Sequence, residues 1–237
     1  MSANTFDFKL RERELNFDAW WDTSPALPSW LSTASGSTLG VLPTGMTLTA
    51  AGLQSGAGYY QINASGTEAA NASGRIAVSG LLSYITKEIN LELDGVVMSE
   101  SRNDADEGPF TTECDYLFFI NGGSYGVILE HASSVGGTQL RVIEGGTTRV
   151  VSTNGLELLK FGQGSKPKNL QLQIHQRGNN THVFRLLTGG EEILTVPLSF
   201  GDQTANHSVR AAFGVTRVSG SGAQYMRFEK VRLNVKR

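Results

Sequence analysis

Apolar residues in this chain alternate with polar ones instead of recurring every third or fourth position. In "NLQLQIHQRG" (169–178), Leu170, Leu172 and Ile174 fall on one face and Gln171, Gln173 and His175 on the other. That is the period-two signature of a half-buried β-strand. Comparable runs are "GYYQINA" (58–64), "GRIAVSGLL" (74–82), "EINLELDGVVM" (88–98), "CDYLFFINGG" (114–123), "SYGVILEHA" (124–132) and "TQLRVIEGG" (138–146). Others follow at 147–153, 181–190, 191–200, 208–218 and 224–236. The segments "NGG", "EGGTT", "RGNNT" and "TGGEE" lie between them, where Gly and Asn accept positive φ at low cost, as hairpin turns require. In the last run Met226, Phe228, Val231, Leu233 and Val235 supply core positions. Their parity changes between Phe228 and Val231, which predicts a bulge or bend. No long stretch follows a 3.6-residue period; "LELLKFG" (156–162) fits one helical turn or a short loop helix. Hairpin-linked strands without helices predict an all-β, antiparallel two-sheet β-sandwich.

The first thirty residues differ in texture. A charged start, "KLRERE", leads into "FDAWWDTSPALPSWL". Residues 1–30 are expected to form an N-terminal arm, an aromatic loop or an extra strand, packed on or extending from the domain. Residues 31–237 are expected to form one sandwich, a size such folds reach in a single domain.

Composition narrows the function classes. The 237 residues carry a net charge of −2, no basic footprint for nucleic acid. No apolar run approaches the length of a membrane span, so no membrane insertion is expected. Cys114 is the single cysteine, which excludes an internal disulfide; in a strand it is expected to be buried and inert. The start has no apolar h-region of a signal peptide. Synthesis in the cytoplasm is therefore expected, and the Asn-x-Ser/Thr matches at Asn63, Asn71, Asn179 and Asn206 read as chance.

The order of the closing runs resembles the concanavalin A-like lectin/glucanase (laminin-G-like) jelly-roll superfamily. "NLQLQIHQRGN", "HVFRLLTGGEEI", "VPLSF", the glycine-bearing "AAFGVTRVSGSG" and the final "QYMRFEKVRLNV" carry the resemblance, over about residues 75 to 237. It implies a jelly roll, a fold that holds lectins, glycosidases, lyases and structural modules alike.

Two segments invite an enzymatic reading. Glu92 and Asp94 share a strand face, and laminarinase-type glucanases of this superfamily read Glu-x-Asp-x-(x)-Glu, with two carboxylates close enough for retaining chemistry. Here the second Glu would fall at 96 or 97, and those residues are Val96 and Val97. The plainer reading of "ELDG" is a solvated strand end. Gln173-Ile174-His175 resembles the Gln-Ile-His segment of alginate-lyase-type jelly rolls, in which the Gln neutralises a uronate and the His acts as base. "LRERE" (10–14) matches the Arg-x-Glu-x-Arg strand of those enzymes poorly, and "AAFGVTR" lacks the Tyr and Lys of their "YFKAG" strand. No catalytic residue is therefore assigned.

The galectin pattern is absent. His131, His175, His182 and His207 show no zinc spacing, and "RNDADEG" (102–108), with Asp104, Asp106 and Glu107, reads as a solvated acidic loop more readily than as a calcium site. No metal or cofactor is expected. The candidate ligand- or interface-binding residues are Trp20, Trp21, Trp30, Tyr59, Tyr60, Gln173 and His175. Exposed aromatic faces stack on sugars and anchor interfaces; the plainer reading of the tryptophans is core or interface. Ser/Thr/Gly/Asn-rich sandwiches of this kind are similar in style to bacteriophage head-decorating or tail-associated proteins. The expected function is a non-catalytic binding or structural module of a virion, self-associating or docking on other virion proteins, with a surface glycan as a further partner. The alternatives are a lectin-like protein, or a polysaccharide hydrolase or lyase.

Overall fold

The computed structural model describes residues 14–20, 27–35, 38–52, 58–65, 68–69, 72–78, 82–83, 88–98, 112–120, 125–132, 137–151, 168–177, 181–199, 208–217 and 224–236. These residues form two antiparallel sheets with no helix among them. The helical turn expected at 156–162, the acidic loop 102–108 and Trp21 lie outside the described residues.

The first sheet starts at β15 (Glu191–Ser199) and continues through β14 (Thr181–Thr188) and β13 (Lys168–Gln176) to the long strand β8 (Glu88–Met98). Beyond β8 it divides. β18 (Lys230–Lys236) and then β1 (Glu14–Trp20) flank the first part of β8. β17 (Gln224–Phe228), β5 (Gly58–Ala64) and β4 (Met46–Gly52) flank its end. The second sheet runs β12 (Thr147–Val151), β11 (Gly137–Glu144), β10 (Tyr125–Ala132), β9 (Thr112–Ile120), β16 (Ser208–Arg217), β6 (Ser73–Val78), β2 (Leu31–Ser35) and β3 (Thr38–Leu39), with β7 (Leu82–Ser83) also on β16. The expected sandwich is the observed one. Residues 14–20, inside the segment read as arm or strand, are a strand of the first sheet.

The core fills the space between the inward faces. Leu91 and Leu93, Leu170, Leu172 and Ile174, and Val231 and Leu233 come from the first sheet. Val127, Leu129, Leu140, Val142, Ile76 and Phe213 come from the second. Phe228 sits at the junction. Its ring meets Phe213 edge-on at 5.0 Å and stacks on Tyr60 at 5.7 Å. At one side the sheet edges are tied together by side chains. Arg149 of β12 pairs with Glu144 and donates to the Pro197 carbonyl of β15 at 3.0 Å. Glu144 in turn accepts from the Ser199 backbone N–H at 2.6 Å.

The parity change at 228–231 has a matching irregularity on β8. β17 ends at Phe228 and β18 begins at Lys230; the Glu229 N–H between them donates to the Asp94 carbonyl at 2.9 Å. Opposite it, Gly95 has φ +67°, a conformation costly for any residue with a Cβ. Its N–H donates to Asn169 Oδ1 at 3.0 Å, and the β13 register shifts between Lys168 and Leu170. Paired bulges let one strand serve two branches of the sheet.

His182 on β14 is 4% exposed, and burial lowers its imidazole pKa. The fold thus holds the neutral ring, at no penalty above the ordinary imidazole value. As pH falls through that value the unfolded chain binds the proton first, so stability declines until the lowered folded pKa is passed. We expect urea midpoints to drop between pH 8 and pH 5, and His182→Gln to remove part of that slope. An unchanged slope in the variant would place the titration elsewhere.

Candidate functional site

The outward face of the first sheet is where strand alternation gathers the chemistry. On β8 the outward residues are Glu88, Asn90, Glu92 and Asp94, because Ile89, Leu91 and Leu93 take the core. Antiparallel register then builds rows across the strands. Glu92 lies between Gln171 and Arg232; Asn90 between Gln173 and Asn234; Glu88 between His175 and Lys236. Gln173 is followed across β14 by Arg185, and His175 by Val183.

These side chains bond to one another. Arg232 Nη1 donates to Glu92 Oε2 at 2.8 Å, and its Nη2 lies 3.9 Å from Asp94. Asn90 and Gln171 amides both donate to Glu92 Oε1, at 3.2 and 3.3 Å. His175 Nε2 is 3.1 Å from Gln173 Oε1, and its Nδ1 is 3.7 Å from Glu88 Oε2. Lys236 Nζ reaches the same Glu88 oxygen at 3.4 Å. On β14 and β15, Arg185 Nε donates to Glu192 at 2.6 Å and Thr195 donates to the other carboxylate oxygen. These two bonds and the Arg185 charge hold the Glu192 carboxyl below its usual pKa. Glu88, Glu92 and His175 side chains are 22%, 26% and 28% exposed. They are fixed in place yet open to solvent on one side, so a ligand laid on this face would meet amides and carboxylates already oriented.

The structure therefore brings Gln173 and His175 together on one face, and adds Gln171, Asn90, Glu92, Arg185 and Arg232 to them. The sequence signal for Arg232, Asn234 and Lys236 was their alternation in "VRLNVK". That alternation faces the site because the bend at 229 resets the parity.

Trp30 and Tyr60 do not belong to the surface. They are 6% and 2% exposed and pack in the core, which corrects their place among the ligand- or interface-binding candidates. Trp30 directly precedes β2, and Tyr60 takes the inward parity of β5 beneath Phe228. Tyr59, one residue earlier, has the opposite parity and is partly exposed, with the Arg227 guanidinium 5.3 Å over its ring. Trp20 closes β1 opposite Lys230.

The glucanase-like motif can now be located. The bulge at Gly95 turns Val96 into the core, where it is 1% exposed. Position 97 becomes the register partner of Arg227, which stands outward over Tyr59. At both positions expected for the second carboxylate of the motif, 96 and 97, the residue is valine. Among the described residues no group of three or more His, Cys, Asp or Glu is placed to hold a metal ion.

No protein-family model and no curated protein matches this chain. Solved structures do. An endo-β-1,4-glucuronan lyase from the fungus Trichoderma reesei superposes with a TM-score of 0.56 at 10% identity, over 86% of this chain and 94% of that one. The potassium-bound carbohydrate recognition domain of Emp46p gives 0.52 at 11% identity, over 86% and 88%. A protein of unknown function from Shewanella oneidensis gives 0.53 at 10%, over 94% and 87%. The shared fold is the concanavalin A-like lectin/glucanase sandwich. At such identities the likeness is one of fold.

Proposed function

We propose that this chain is a non-catalytic glycan-binding β-sandwich whose ligand lies across the outward face of the first sheet. One observation carries the reading. Asn90, Gln171 and Arg232 all donate to Glu92, and Gln173 beside them meets His175, a layer of planar polar groups of the kind that exchanges hydrogen bonds with sugar hydroxyls without reorganising. A carbohydrate recognition domain among the fold relatives supports it. Gln173→Ala and Arg232→Ala are each expected to weaken glycan binding about tenfold, roughly 1.4 kcal/mol, with the thermal midpoint nearly unchanged. Titration calorimetry against glycans selected on an array reads the effect. Wild-type affinity in both variants would remove the site from this face.

A second reading, a polyuronate lyase, draws on the contact between Gln173 and His175 and on the glucuronan lyase among the fold relatives. The groups across the strands from that pair are Asn90, Glu88, Arg185 and Val183, with Arg185 already held by Glu192. Release of unsaturated uronate products, lost in His175→Ala, would decide for it.

The virion role, with self-association or docking through the N-terminal segment, is the assembly form of the first reading. It rests on sequence texture. Light scattering should compare the full chain with a variant lacking residues 1–13, since β1 and Trp30 are part of the fold. A stable oligomer lost on that deletion would support docking; a monomer in both forms would oppose it.

A further inference from the structure

Resting on the glycan-binding reading, we infer that the sheet face selects a neutral, hydroxyl-rich glycan and rejects polyuronates and other anionic chains. Charge within the face is already paired. A site for a sugar carboxylate needs a cation whose partner is the ligand. Here the central cations already have carboxylate partners on the same sheet. Arg232 lies between Glu92 and Asp94, Lys236 is on Glu88, and Arg185 is on Glu192. Arg177, exposed just past the end of β13, adds to the positive field at Glu192. Lys230, opposite Asp94, is 7% exposed and does not present its charge to a ligand.

The carboxylates are also in the way. Glu88, Glu92 and Asp94 succeed one another along the outward side of β8, in the middle of the rows. A uronate laid across Gln171 and Gln173 would stand beside them. It would either suffer like-charge repulsion or pull Arg232 or Lys236 away and leave a half-buried carboxylate alone. A neutral sugar pays neither cost. The amides of Gln171, Gln173 and Asn90 and the carboxylate oxygens offer donors and acceptors to hydroxyls. The face thus differs in ligand charge from what the glucuronan lyase of the same fold acts on.

The test is calorimetry at low and high salt with two panels of matched length. One holds neutral cello-, xylo-, manno- and galacto-oligosaccharides; the other holds oligoglucuronate and oligogalacturonate. The expected result is binding of at least one neutral chain, at least about tenfold tighter than any uronate, with little dependence on salt. The variant Glu88→Gln/Glu92→Gln should gain measurable, salt-sensitive affinity for oligouronates, because it removes the carboxylate from Lys236 and leaves Arg232 only the longer contact with Asp94. Uronate binding by the wild type, matching or exceeding the neutral chains, would overturn this inference and leave the glycan-binding reading standing. Silence from both panels would overturn both.

Discussion

Phe228→Ala is expected to lower the free energy of unfolding by about 3–5 kcal/mol, the range for removing a fully buried aromatic ring. Phe228 has no exposed surface. It lies where β17 gives way to β18, and it spans the two sheets by meeting Phe213 edge-on and Tyr60 face-on. Phe228→Leu keeps most of the volume and should cost about 1–2 kcal/mol. The Phe213→Leu/Phe228→Leu cycle should show a coupling of about 0.5–1.5 kcal/mol from the ring pair. Urea denaturation followed by tryptophan fluorescence measures all three. A loss under about 1 kcal/mol for the alanine variant would mean that the sandwich closes without this contact.

Gly214→Ala should cost about 3 kcal/mol, which is large for one methyl group. Gly214 is on β16, opposite Arg75 of β6. A Cβ there would stand 2.2 Å from the Gly74 carbonyl oxygen and 2.7 Å from the Arg75 Cα. Both are backbone atoms of the adjacent strand, so relief requires the β16–β6 ladder itself to open. Gly74→Ala is the control. Its Cβ would meet the Met46 Sδ at 2.4 Å, the far part of a flexible side chain, so its cost should be smaller. If the two variants have equal midpoints, the strands separate more easily than the packing implies.

The strands with a strict alternation were legible in the sequence nearly to the residue. "GYYQINA" is β5 and "EINLELDGVVM" is β8, because each has one apolar face and one polar face to declare. The bend at Glu229 was legible too, since a core cannot accept the parity of both Phe228 and Val231 on a straight strand. β2, β3 and β4 were not among the runs read as strands. "LSTAS" and "MTLTAAG" carry few large apolar residues, and their pairing with β6 and β5 comes from the tertiary fold. The site was half legible. Gln173 and His175 follow from one strand's alternation, whereas the Glu92–Arg232 pair joins residues 140 positions apart, and only the sheet order supplies that. Tyr60 shares the parity of Ile62 and Ala64 in "GYYQINA", which marks its inward place, whereas Trp30 stands before β2 and carries no such mark.

The branching of the first sheet at β8 has a consequence in time. β8 must wait for residues 168–176 on one flank and 224–236 on the other, and β1, made first, has its partner in the last strand. At a synthesis rate of ~5–20 residues per second, the interval between Glu14 and its partner Lys236 is on the order of ten seconds or more. Throughout that interval β1 stands without its native neighbour, and β8, once made, gains β13 on one flank but lacks β17 and β18 on the other until the end. Closure of this sheet is thus a late event by construction. A ribosome-stalled chain lacking residues 224–236 should be cleaved by protease within β8 and β1, while hairpins made of neighbours, β10 with β11 and β11 with β12, are already protected.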